Sequence, residues 1–167
     1  MEIYIKLEGH EYRYEIENIL KLFFDNGSTE IFYRDPGDDY RGILLYSRLK
    51  TPSGNDGQYR VETIICVDGK DVLKDNHFFS VSLSKKDANY VYEERKIRKR
   101  EVKRQVYKAL SQFTGKNMPW GMLTGIRPAK IVHELMDMGC SKEEINSTLK
   151  QYYFVSGKKS KILYDVA

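Results

Sequence analysis

The chain has 167 residues, of which 41% are hydrophobic and 31% charged, enough for one good core or two small ones and too apolar for a disordered segment. No apolar run approaches the length of a membrane span, and the N-terminus MEIYIKLEGH alternates like a strand instead of pairing a basic region with an apolar core, so a cytoplasmic location with no membrane partner is expected. The net charge of +4 hides an asymmetry: residues 1–84 carry ten basic against fifteen acidic side chains, residues 85–108 ten against four, and residues 109–167 eight against five.

In chain order, Ile3, Ile5 and Leu7 alternate with polar neighbours and predict a first strand. A helix follows with Tyr12, Ile16, Ile19, Leu20 and Phe23 as its apolar face, and Asp25-Asn26-Gly27 supplies its stop. A short strand is expected at 30–34, a turn at Asp35-Pro36-Gly37, and longer strands at 42–50, 59–67 and 71–84. The last two meet at Asp68-Gly69, a two-residue hairpin signal, and residues 51–57 form a loop by composition. This half reads as a small antiparallel or mixed sheet with one helix packed on it.

From 86 to about 114 the pattern is that of one long helix, with Ala88, Val91, Tyr92, Val102, Val106, Ala109, Leu110 and Phe113 on a stripe that Arg95 and Lys99 interrupt. Gly115 ends it. Three short helices are expected after that, at 128–138 (Ile131, Val132, Leu135 and Met138 at helical spacing, Gly139 as stop), at 142–152 and from 157 onward. Ser141 and Glu144 have the spacing of a capping box. The expected organisation is α+β: a subdomain at 1–84, a basic connecting helix at 85–114, and a helical subdomain at 115–167.

The most particular stretch is PWGMLTGIRPAKIVHEL at 119–135. Pro119 and Pro128 restrict the backbone while Gly121 and Gly125 open conformations closed to other residues, so the segment should hold one shape. Pro128 suits the first turn of a helix. Together with the later Tyr153-Phe154-Val155-Ser156 step, this stretch resembles the region just before the catalytic domain of the oxygen-independent coproporphyrinogen III oxidase-like radical SAM proteins, the coproporphyrinogen dehydrogenases. The strong match covers 110–167, and the first hundred residues match in general pattern.

The resemblance implies a parent of haem biosynthesis that oxidatively decarboxylates two propionate groups of coproporphyrinogen III, using S-adenosylmethionine and a [4Fe-4S] cluster on a CxxxCxxC motif. This chain has only Cys66 and Cys140, isolated in sequence, which cannot supply three thiolates. The expectation is therefore a non-catalytic N-terminal region cut before the catalytic domain, with no catalytic residue, no metal and no cofactor of its own. Its partner would be that domain, with possible contact to the porphyrinogen.

Four cations are candidates for an anion or for domain docking. Arg95 and Lys99 project from an otherwise apolar helix face, where they either snorkel or meet an acidic partner. Arg127 and Lys130 flank the start of the Pro128 helix, whose free N–H groups favour an anion; the simpler reading is a buried arginine tying two turns together. Trp120 reads as a core or interface anchor. The run at 95–104 also suggests a rival function, a nucleic-acid-binding module with a helix-turn-helix-like pair at 128–152. Against it, Glu93, Glu94 and Glu101 lie among the basic residues, and Glu143 and Glu144 would meet phosphates badly. His10 and His77 lie far from His133 in sequence and no acidic or Cys residue stands at metal-ligand spacing, so no metal site is expected.

Overall fold

The computed structural model describes residues 1–24, 27–54, 57–82, 85–86, 88–124 and 127–167. The expected helix stop at Asp25-Asn26, the loop residues Asn55 and Asp56, the expected strand end at Ser84 and the motif glycine Gly125 lie outside the described residues. Among the described residues there are five strands and five helices, the α+β class expected. The chain divides into two compact units, Met1–Gly115 and Lys116–Ala167.

The first unit runs β1 (Glu2–Glu8), α1 (Arg13–Phe24), β2 (Glu30–Phe32), β3 (Ile43–Lys50), β4 (Gln58–Val67), β5 (Lys70–Ser80) and α2 (Tyr90–Thr114). The sheet order is β2-β1-β3-β4-β5, so of the two expected sheet types the mixed one is realised. A helical crossover lets β2 lie parallel to β1, whereas a two-residue loop can join only antiparallel strands. That loop is Asp68-Gly69, with φ of 49° and 79° and Val67 opposite Lys70.

Strand alternation then builds the core. Ile5 pairs with Leu45 and Leu45 with Ile65, which places these apolar side chains in one row across three strands. Ile16, Ile19, Leu20 and Phe23 of α1 and Val102, Val106, Tyr107, Ala109 and Leu110 of α2 are buried with them. The Phe23 and Tyr107 rings meet at 5.4 Å. Each such buried side chain contributes about 1.5–3 kcal/mol relative to exposure. Residues of opposite parity form an ionic and aromatic lattice: Glu62, 5% exposed, lies 3.4 Å from both Arg60 and Lys74, and Arg48 stacks over Tyr46 at 5.2 Å.

Three expectations fail here. The long helix begins at Tyr90 instead of 86, β5 ends at Ser80, and Val91 and Tyr92 are 74% and 68% exposed instead of lying on the buried stripe. The reason is that polar residues of α2 turn to the sheet. Glu94, Glu101 and Lys108 recur at helical spacing and meet polar strand residues: Tyr59 donates to Glu94, His77 lies 3.1 Å from Glu101, and Lys108 donates to Asp75 at 2.8 Å.

The second unit holds α3 (Pro128–Asp137), α4 (Lys142–Gln151) and α5 (Gly157–Val166) around Leu123, Val132, Ile145, Leu149, Val155 and Leu163. Its helix starts are written in the sequence. Pro128 occupies the first turn of α3. The α4 capping box is complete, Ser141 N–H donating to Glu144 at 2.7 Å and Glu144 N–H to Ser141 Oγ at 3.2 Å. Ser156 caps α5 by accepting from Lys159 N–H. Met138, expected on the buried stripe of α3, is 76% exposed, because the helix stops at Asp137 and Gly139 at φ 79° turns the chain away.

Candidate functional site

The two segments that carry the family resemblance are joined by backbone contacts. Met122 N–H donates to Tyr153 C=O at 3.0 Å, and Ser156 N–H donates to Pro119 C=O at 3.0 Å. Gly121, at φ +56°, lies so close to the facing strand of backbone that a Cβ there would stand 2.0 Å from the Tyr153 oxygen and 2.5 Å from the Phe154 carbonyl carbon. No side chain fits. On the other side of the joint Phe154 holds φ 60°, a conformation bulky residues avoid. Its neighbours over-determine it: Tyr153 and Val155 are buried, and Val155 N–H donates to Leu149 C=O at 2.9 Å.

The other motif side chains singled out, those of Trp120, Arg127 and Lys130, lie at or near the surface. Trp120 is 37% exposed, not a core anchor, and Lys159 stacks over its ring at 4.7 Å. Arg127 is exposed and extended at φ −79° as the N-cap of α3, which overturns the buried-tie reading; its carbonyl accepts from Lys130 N–H. Lys130 points outward, 3.8 Å from Glu134 on the same helix. Pro128 opens α3, and the Arg127 side chain makes no cap hydrogen bond there.

On α2, Lys99 meets an acidic partner inside its own unit, Glu15 of α1 at 3.1 Å. Arg95 is exposed and makes no ion pair among the described residues. Neither lies in the same unit as Arg127 and Lys130. A neighbour that the sequence reading did not single out is more perturbed: burial pulls Lys103 down to about 8, Glu15 opposing.

His10 and Ser47 have the spacing of a base and its nucleophile, with 3.0 Å between Nε2 and Oγ. The proton lies the wrong way. Tyr12 N–H donates to His10 Nδ1, so Nδ1 is unprotonated and the neutral ring carries its hydrogen on Nε2, donating to Ser47. Burial pushes the imidazole down to about 4, and Ser47 is itself fully buried. The pair is a structural strut. Among the described residues no group of His, Cys, Asp and Glu is placed to hold a metal ion. Cys66 donates to Asp71 at 3.0 Å from β4, while Cys140 belongs to the other unit. Two thiols do not fit a cluster that needs three.

No family model matches the chain. Two solved structures share some of its course, a minor lipoprotein from Acinetobacter baumannii and the rare lipoprotein B from Shewanella oneidensis. They are 13% and 14% identical, cover 68% and 69% of this chain and 92% and 95% of their own, and have TM-scores of 0.38 and 0.37, too low to argue from. Among curated proteins, the oxygen-independent coproporphyrinogen-III oxidase-like protein HemZ of Bacillus subtilis (strain 168) is 28% identical over 97% of this chain. The chain spans 30% of the length of that relative. Its resemblance to the coproporphyrinogen oxidase-like family thus extends over nearly all of its residues, consistent with an N-terminal region of that family.

Proposed function

We propose that the chain is a non-catalytic accessory region of a cytoplasmic radical SAM oxidoreductase resembling oxygen-independent coproporphyrinogen III oxidase. The observation that carries this reading is the match to 30% of a relative along nearly the whole chain, combined with a cysteine content that cannot hold the cluster the chemistry needs. In such a parent the iron-sulfur cluster and S-adenosylmethionine would reside in a separate domain. That domain would carry out the oxidative decarboxylation of the porphyrinogen propionates. The residues present here would fold, dock and position.

The test is anaerobic reconstitution of the 167-residue chain with iron and sulfide, followed by absorbance, iron counting and titration with S-adenosylmethionine. Neither cluster nor S-adenosylmethionine binding is expected. A stoichiometric cluster would overturn the accessory reading.

A further inference from the structure

A row of polar side chains crosses the core of the first unit between α2 and the sheet. Ser47 of β3 stands opposite Thr63 of β4, and Thr63 stands opposite Asp75 of β5, so the three share one line across three strands. Apolar pairs bound that line on both sides, Leu45 with Ile65 two residues along in one direction and Leu49 with Val61 in the other. Over the row lies Gln105. It follows Glu101 by four residues and precedes Lys108 by three, and both of those reach the sheet, at His77 and Asp75. Helical spacing puts all three on one face, so the Gln105 amide cannot turn to solvent. Gln105 is 1% exposed and Thr63 is fully buried.

The ends of the row are satisfied. Ser47 accepts from His10 at 3.0 Å, and Asp75 accepts from Lys108 at 2.8 Å and from Asn76 N–H at 2.9 Å. Its middle is not. Among the described residues the Thr63 hydroxyl and both polar atoms of the Gln105 amide have no partner in hydrogen-bond geometry, although Gln105 lies within reach of Asp75. Folded proteins rarely leave a buried amide or hydroxyl unpaired, because the lost hydration is not replaced. Three such atoms on two residues that both neighbour Asp75 call for a shared partner.

The chemistry of the atoms selects that partner. The amide offers one acceptor and one donor group, and the hydroxyl can act as either, so the partner must both donate and accept. A cation would meet the amide donor, and an anion would meet the amide oxygen beside the Asp75 carboxylate. Water satisfies both ends and needs only two to four polar neighbours. We propose that Thr63 and Gln105 hold an internal water molecule between β4 and α2, completing a hydrogen-bonded row that runs from His10 to Lys108. The site also fixes the register of α2 on the sheet, since sliding the helix by one turn, about 5.4 Å, would carry the amide away from the hydroxyl and leave both unpaired. It does not depend on the accessory reading.

Oxygen-17 relaxation dispersion on the full chain counts the waters held inside it, since surface water exchanges too fast to contribute. At least one is expected. Two near-isosteric apolar replacements made together, Thr63→Val and Gln105→Met, should lower the count by one, whereas Arg127→Ala, an exposed change in the other unit, should leave it unchanged. A second measurement needs no variant to fold: in the unmutated chain the Gln105 side-chain amide protons should show nuclear Overhauser cross-peaks to water. A chain with no internal water, a folded double variant with an unchanged count, or a Gln105 amide that contacts the Thr63 hydroxyl directly and shows no water cross-peak would each overturn the proposal.

Discussion

Replacing Gly121 by Ala puts the joint between the two motif segments to a direct test. The added Cβ incurs about 1–2 kcal/mol for the left-handed backbone at φ +56°. It would also stand 2.0 Å from the Tyr153 oxygen, a backbone atom that cannot swing aside. The segments must part, and with them the Met122–Tyr153 and Ser156–Pro119 hydrogen bonds, each worth about 1 kcal/mol. The sum, about 3–4 kcal/mol, is comparable to the whole stability that a core of this size supplies. Hydrogen exchange on the full chain should therefore show Gly121→Ala losing protection throughout Lys116–Ala167 while β3, β4 and the Val102–Leu110 stretch of α2 keep theirs. Gly157→Ala is the matched control: its Cβ would meet only the Lys150 side chain at 3.7 Å, in a helix's first turn, and it should be neutral or stabilising by up to about 1 kcal/mol. Similar behaviour of the two variants would refute the reasoning.

Other outcomes are checkable by simpler means. Trp120→Ala should destabilise by only about 1–2 kcal/mol in denaturant melts, well below the loss of a fully buried aromatic, because the ring is 37% exposed; Arg127→Ala should stay within about 0.5 kcal/mol. Burial lowers His10 to about 4 from an ordinary value near 6.5, so the fold keeps it neutral while the unfolded chain protonates it. Stability from this group is complete above about pH 6.5 and is lost as pH falls toward 4, on the order of 3 kcal/mol, and urea midpoints of wild type and His10→Gln should converge over that window. A pH-independent difference would refute it. Burial and Asp71 push the Cys66 thiol up to about 12, so iodoacetamide at pH 8 should label Cys140 far faster, and comparable rates would count against the buried Cys66. In α5, Ile162 and Val166 are 40% and 67% exposed; its amides should exchange faster than those of Val102–Leu110, and equal protection would contradict that.

Local chemistry alone determined much of this molecule. Alternation located the strands, Asp68-Gly69 located the hairpin, and the Ser141–Glu144 box and Pro128 marked helix starts, because each of these signals acts between residues a few positions apart. The PWG and YFVS segments could be picked out as particular, and Gly121 as needing conformational freedom. Only the tertiary structure decided why. The two segments lie thirty-odd positions apart, and that Gly121 must be bare follows from the Tyr153 carbonyl pressing on it, a contact no local pattern encodes. Periodicity likewise treated α2 as an apolar stripe broken by charges, whereas Glu94, Glu101 and Lys108 face polar strand residues, and partners across a sheet are invisible to a helical wheel.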